Sequence, residues 1–593
     1  MAKKSVLTPI YTVWGEALNK DAPLQEYPRP QMQRQSYLNI NGRWDYAITA
    51  NSEKPSEYDG EIIVPFSPEA PLSGVNRQLK PEEYLWYRRK LIIDESFLNS
   101  RTFINFGAVD QIAEVYVNGS KIGTHEGGYT PFSLECTDAV HAGENELAVC
   151  VRDFSQTGDF AYGKQTLKRG GIWYTAQSGI WQTVWLESLP EIYISDIKIT
   201  PLFDEHCIKF ELTFDGGKPS AEIKVKSGDT TVAAGRTDDD GVCILDLGEN
   251  FIPWDTENPY LYDVEITAES DIVHSYFGMR KFSTLQIDGH SVLALNNKPI
   301  FHTGLLDQGY WSDGYYTPPS DEAMIFDIRQ MKECGFNMLR KHIKIEPLRW
   351  YYHCDRLGML VWQDMVSGGA RYKPLVIQAL PFVGVMLSDK HYGLFGRKSE
   401  NGRNLFIEDC KQCVKLLYNC TSLAVWVPFN EGWGQFDAAK VYDMFKSMDS
   451  TRHIDHASGW HDQKTGDFNS KHVYYKKIRL KADDRILVLS EFGGFSLPSE
   501  GHMSSNIKFG YKIFDTNEDF MNAYRTLYEK EVIPFIESQG LSAAVYTQVS
   551  DVEDEINGLL TYDRRVNKAD KNTLAEINSR LKNQLLSKWR EKQ

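Results

Sequence analysis

The chain is 593 residues long, room for about four domains at ~100–200 residues each, and its 25% charged and 42% apolar content is that of a folded globular protein. Asp and Glu number 81 against 65 Lys and Arg, a formal charge of −16 that argues against nucleic acid or anionic membrane as the main partner, because phosphate binding needs a cationic surface. Aromatics make up 12%, including 14 Trp and 31 Tyr, which suits β-sheet cores as well as clefts that stack ring-shaped ligands.

The first residues, MAKKSVLTPIYTVWGEAL, lack the apolar region of a secretory signal, and no apolar run reaches the ~18–20 residues of a membrane span. A soluble protein is expected, with bacterial periplasm and cytoplasm both open. Residues 1–190 read as a jelly-roll β-sandwich. Short alternating runs such as LWYRRKLII (85–93), RTFINF (101–106), AEVYVNG (113–119) and NELAVCVRD (145–153) are separated by turn residues. Asn118-Gly119 is a two-residue hairpin signal. Residues 191–287 hold about seven further short strands and suggest an immunoglobulin-like sandwich.

From 288 to 593 the pattern changes to strands alternating with helices. Eight apolar runs stand out: IFHTGLL (300–306), NMLRKH (337–342), MLVWQDM (359–365), LAVWVPFNE (423–431), HIDHAS (453–458), HVYY (472–475), ILVLSE (486–491) and AAVYTQ (543–548). Helices are expected near Asp321–Cys334, Pro347–Leu357 and Leu405–Tyr418. This predicts a (β/α)8 TIM barrel, not a doubly wound sheet, because no GxGxxG or GxxxxGK[ST] appears. The nine cysteines are thinly spread, and Cys410 and Cys413 read as buried thiols on an amphipathic helix, not as zinc ligands.

Barrel enzymes place reactive groups at the C-terminal ends of strands. Asp364, Glu431 and Glu491 fall there. Singly, each would be read as a solvated loop acid. Glu431, however, lies in Trp426-Val427-Pro428-Phe429-Asn430-Glu431-Gly432-Trp433-Gly434, and Glu491 in Ser490-Glu491-Phe492-Gly493-Gly494, both among aromatics and glycines. By count they close strands four and seven, on opposite sides of the ring, as two carboxylates must to flank a glycosidic bond.

These motifs resemble glycoside hydrolase family 2, the family of β-galactosidases, β-glucuronidases and β-mannosidases. The resemblance runs along nearly the whole chain. Asn41-Gly42-Arg43-Trp44, Phe106-Gly107-Ala108-Val109-Asp110, Val117-Asn118-Gly119, His125–Phe132 and Ser178-Gly179-Ile180-Trp181 look like its sugar-binding jelly roll. Pro259-Tyr260-Leu261-Tyr262 and Gly278-Met279-Arg280 are similar to the end of its second domain, and Asn337–Arg340 with Cys354–Gly358 to its early barrel.

The resemblance implies a retaining mechanism with Glu491 as nucleophile and Glu431 as acid and then base. It also implies that Asn430 bonds the sugar 2-hydroxyl, that Arg340 holds the nucleophile and that Tyr474 hydrogen-bonds Glu491, with Tyr475 as competitor. Asp307 and Trp311 fall where the family contacts substrate, though a turn Asp and a packed Trp are equal rivals. His342 lines the pocket or is a core histidine. Asp364, Trp460 and Gln548 are further substrate-binding candidates; Trp426, Trp433 and Trp460 are read as sugar-cleft walls. Asp551 and Glu555 either bind hydroxyls or belong to a solvated acidic loop. Family architecture would let Asp153 and Lys164, from the first domain, reach the barrel mouth. No cofactor is called for, with a divalent cation left open. The expected partner is a glycoside from an oligo- or polysaccharide; self-association stays open.

For the sugar, a β-D-galactoside ranks first. Glucuronidases of the family carry an Asn-x-Lys pair where this chain has Glu555-Ile556-Asn557-Gly558, and a Glu repels a uronic carboxylate. An α-L-arabinopyranoside, β-glucuronide or β-mannoside, or a non-catalytic carbohydrate-binding role, are the alternatives.

Overall fold

Alternation of buried and exposed side chains along short strands builds the first two units, which a computed structural model describes together with the rest of residues 6–591. In the first, a six-stranded antiparallel sheet that includes Gly42–Thr49, Tyr84–Ile93 and Gly143–Arg152 packs on a four-stranded sheet that includes Arg101–Phe106 and Val184–Leu189. Trp44, Tyr87, Phe106, Val115, Val149 and Leu186 fill the space between them. The Asn118-Gly119 turn joins Ile112–Val117 to Ser120–Glu126, with φ of 49° and 82°, the pair of positive values a two-residue hairpin of this kind demands. The second unit stacks a three-stranded and a four-stranded antiparallel sheet around Ile197, Phe210, Ile223, Val264 and Phe277.

The third unit is an eight-stranded parallel barrel: β1 His302–Asp307, β2 Met338–Lys341, β3 Leu360–Asp364, β4 Leu423–Val427, β5 His453–Ile454, β6 Phe468–Val473, β7 Ile486–Gly493 and β8 Ala543–Thr547. Neighbours follow the order β5-β4-β3-β2-β1-β8-β7-β6, so among the described residues the ring is laddered everywhere except between β5 and β6. Helices Asp321–Glu333 and Glu400–Leu417 start at Ser320 and Ser399, whose hydroxyls accept from Ala323 N (3.2 Å) and Gly402 N (3.1 Å). Cys410 and Cys413 lie on the buried face of the second of these.

One strand begins earlier than its apolar run predicts. β6 starts at Phe468, not at His472: Phe468 joins the apolar cluster inside the ring, but beyond it the inner face turns polar, with Ser470 Oγ donating to Asp455 Oδ2 at 2.7 Å. A polar interior leaves no hydrophobic signature to read. Among the described residues, no helix is long and apolar enough to cross a membrane.

The period-two rule decides which strand residues meet in the middle. Leu306, Met338, Leu360, Trp362, Val425, Val427, Ile486, Val488 and Val545 form one cluster within the ring, closed by Leu293 and Leu295 of the preceding hairpin. Arg340 is two residues beyond Met338 and Asp364 two beyond Trp362, so both enter the same interior, one layer higher. Their neighbours Leu339, Val361, Trp426, Leu487 and Leu489 belong instead to the cluster that contains the surrounding helices.

Candidate active site

At the C-terminal end of the ring a single guanidinium organises the acids. Arg340, fully buried, donates from Nε to Asp364 Oδ1 (2.9 Å), from Nη2 to Asp364 Oδ2 (3.2 Å) and to Asn430 Oδ1 (2.9 Å), and from Nη1 to Glu491 Oε1 (3.2 Å) and Ser490 O (3.1 Å). Asp364 thus lies behind Arg340. Its Oδ2 also meets His342 Nδ1 at 2.7 Å, which leaves it as a brace for these two residues and not as a substrate contact, a correction to its sequence assignment. Asp364 is buried completely, and burial raises its pKa against the pull of Arg340.

Glu491 reaches the mouth because β7 breaks register between Leu489 and Phe492, the kind of bulge that re-aims a side chain. Its Oε2 accepts from Tyr474 Oη at 2.7 Å, and the Tyr474 ring stacks on Tyr511 at 4.1 Å. Tyr475, the competitor, is 68% exposed.

Glu431 occupies a tight turn after β4, with φ of 50° and its N–H bonded to Ser458 O at 3.0 Å. Gly432 and Gly434 follow at φ 73° and 65°; a Cβ on Gly432 would lie 2.6 Å from His461, and one on Gly434 would lie 2.6 Å from Gly368 O. Only glycine fits that approach. Burial pushes the Glu431 carboxyl up to about 7, with Lys164 and Arg340 pulling the other way. One carboxylate oxygen of Glu431, one of Glu491 and a ring nitrogen of His472 all lie within 4.8 Å of one another. Asn430 Nδ2 and Trp433 Nε1, both buried beside this cluster, have no hydrogen-bond partner among the described residues and are donors left over for a ligand.

His472 was not singled out by sequence reasoning. Its Nδ1 is 2.9 Å from Glu431 Oε1 and 3.7 Å from Glu491 Oε2, and burial lowers its pKa to about 4. The signal was available: His472 is two residues before Tyr474, so a strand that aims one at the centre aims the other there too. It also pairs in register with Glu491.

The other candidates scatter. His342 lies 3.9 Å from Glu491 Oε1 and belongs to the cluster; burial, helped by Lys164, holds its pKa well below the ordinary value. Trp433 lies near His342 (6.5 Å) and stacks on Trp173 of the first domain at 5.0 Å. Trp460 packs against Phe382 and His472. Trp426 does not line the cleft: it faces outward, donates to Asp449 Oδ2 at 2.9 Å and packs on Phe445. Asp307 is bound to Lys341 Nζ (2.7 Å) and Gly309 N (2.9 Å), so both its oxygens are used structurally. Trp311 packs against Arg564, 4.3 Å from the ring centroid, and Trp14. Gln548 joins Gln308 and Asn557 through bonds of 2.7 Å each, inside the wall. These four are wall and core residues, because neighbouring protein groups already satisfy them.

Two loops from different domains close the mouth. Residues 551–555 are at most 2% exposed, which overturns the reading of DVEDE as a solvated loop. Arg169 Nη1 donates to Asp554 Oδ1 at 3.0 Å, Thr175 N to Glu553 Oε1 at 2.9 Å, and Tyr174 Oη to Glu555 Oε2. Asp551 accepts from Lys568 Nζ at 2.7 Å. Lys164, on the same first-domain loop, lies 5.9 Å from the Trp433 ring centroid, whereas Asp153 turns back to accept from Ser155 N.

Comparison with known proteins places the architecture in context. Family models described as glycosyl hydrolases family 2 match in three parts: the sugar binding domain over residues 75–190, the central model over 192–280 and the TIM barrel domain over 286–578. A β-galactosidase of Leuconostoc mesenteroides is 27% identical over 451 residues, 68% of this chain and 40% of that protein. One from Thermoanaerobacter pseudethanolicus is 24% identical over 437 residues, 70% of this chain and 54% of that protein. The matched region therefore spans about half the length of these relatives or less. A β-glucuronidase structure from an uncultured Clostridium shares the fold, with a TM-score of 0.72 at 16% identity, covering 93% of this chain and 99% of that one.

Proposed function

The chain belongs to glycoside hydrolase family 2, and on that premise we propose that it is a retaining, exo-acting hydrolase of terminal β-linked sugars. The carrying observation is the pair Glu431 and Glu491, with oxygens within 4.8 Å of each other. Carboxyl groups ~5–5.5 Å apart leave no room for an intervening water, whereas inversion needs ~6.5–9.5 Å.

In this mechanism Glu491 attacks the anomeric carbon and forms a glycosyl ester. Arg340 and Tyr474 each donate a hydrogen bond to one of its two oxygens and keep it aimed. Glu431, whose pKa near 7 lets it hold a proton at neutral pH, gives that proton to the departing oxygen as the bond breaks. It then takes a proton from water, which attacks the ester and restores both acids. Asn430 Nδ2 donates to a sugar hydroxyl beside the nucleophile.

The relatives include β-galactosidases and β-glucuronidases, and the solved structure of similar fold is a β-glucuronidase, so both a neutral and a uronic sugar have support. A non-catalytic binding role is disfavoured, since binding alone needs no buried acid poised beside a braced carboxylate. A panel of nitrophenyl β-galactoside, β-glucoside, β-mannoside, β-glucuronide and α-L-arabinopyranoside tests the reading. Turnover of at least one is expected; turnover of none would favour the binding role.

A further inference from the structure

We propose that Lys164 anchors an anion subsite at the barrel mouth, and that the sugar taken there carries a carboxylate. Lys164 is only 7% exposed, yet among the described residues its ammonium has no acid within 4 Å and donates no hydrogen bond. It is walled by the rings of Tyr174 and Trp433, whose centroids lie 5.4 and 5.9 Å from Nζ. Cations elsewhere around the mouth are matched: Arg340 with Asp364 and Glu491, Lys341 with Asp307 and Glu346, Lys344 with Glu346, Lys568 with Asp551, and Arg169 with Asp554 and Glu553.

The residue is nearly enclosed while its ammonium keeps accessible surface, and two ring faces satisfy that charge only in part. Trp433 lies 6.5 Å from His342, which is 3.9 Å from Glu491 Oε1, so Lys164 stands toward the reacting end of the cleft. Sugar hydroxyls would offer it dipoles; a carboxylate offers the missing charge and stronger acceptors.

The loop after β8 was the reason to rank uronic acids low. In the structure Glu555 is spent on the Tyr174 hydroxyl and, at 3.5 Å, on Asn557 Nδ2. Its charge serves the clasp between domains, and recognition of an anion falls to the first-domain loop instead.

This inference rests on the hydrolase reading for its kinetic assay, so a binding assay accompanies it. The nitrophenyl β-D-galacturonide, β-D-glucuronide, β-D-galactoside and β-D-glucoside are compared in wild type, Lys164→Met and Lys164→Arg. Free galacturonate, glucuronate, galactose and glucose are titrated calorimetrically, and melting curves check that each variant folds. In wild type, kcat/KM for a uronide should exceed that of its neutral counterpart at least ~10-fold, and Lys164→Met should lower that ratio ~100-fold while Lys164→Arg retains most of it. The free uronate should bind wild type and not Lys164→Met. A wild-type preference for the neutral sugar, or an unchanged ratio in folded Lys164→Met, overturns the subsite and leaves the hydrolase reading standing. Lys164-dependent uronate binding without turnover of any glycoside upholds the subsite and removes the hydrolase reading.

Discussion

His472 Nδ1 lies 2.9 Å from Glu431 Oε1. The other ring nitrogen faces Ser458 Oγ at 3.1 Å and Arg340 Nη1 at 3.4 Å. A guanidinium only donates, so Nε2 is the lone-pair nitrogen and the proton of this neutral imidazole is on Nδ1. The bond to Glu431 therefore favours its carboxylate form, in opposition to burial. That form is the base of the second chemical step. In His472→Ala the Glu431 pKa should rise, hydrolysis of the glycosyl ester should slow, and kcat should fall ~10-fold or more with a parallel fall in KM. Steady-state kinetics on a dinitrophenyl glycoside read this split; a raised KM at unchanged kcat would contradict it.

Arg340 binds Asp364, Asn430 and Glu491 at once, and among the described residues no other Lys or Arg forms an ion pair with either acid. Replacing it by Met leaves Asp364 buried without its counter-charge. The expected cost is ~3–5 kcal/mol in stability, read by denaturant unfolding, together with a loss of activity of ~100-fold or more. Asp364→Asn should retain part of the activity, because the neutral amide can still accept from the fork. Equal stability of Arg340→Met and wild type would contradict the bracing role.

Glu431 must carry a proton to release the leaving group. Since burial sets its pKa at about 7, kcat/KM should fall as pH rises through about 7. Glu431→Ala should lose that limb, keep reactivity toward glycosides with excellent leaving groups, and recover turnover with azide, which needs no base. A wild-type profile flat from pH 6 to 9 would contradict this assignment.

Much of this site was legible in the chain because strand periodicity is local. Asp364, Glu431 and Glu491 follow from the close of apolar runs, the last two also from their glycines and aromatics, whereas Arg340 and Tyr474 followed from the resemblance. His472 was hidden by the polar inner face of β6, where no apolar run marks the strand. Trp426 was misplaced for the opposite reason: closeness in sequence to Glu431 did not reveal that odd and even positions face opposite ways. Asp307, Trp311 and Gln548 went to the wall because their partners, Lys341, Arg564 and Asn557, come from other turns of the chain. The clasp of Arg169, Tyr174 and Trp173 on residues 433 and 553–555 joins segments more than 250 residues apart. Local pattern carries no information on such pairings.

The central claim is that Glu491 forms a covalent bond to the sugar. A 2-deoxy-2-fluoro sugar with a dinitrophenyl leaving group, made for whichever glycoside turns over fastest, should trap that ester, since the fluorine slows its hydrolysis. Intact-protein mass should rise by one fluorosugar, and peptide mapping should place the label on Glu491. A label on Glu431, or inactivation without any label, would contradict the account.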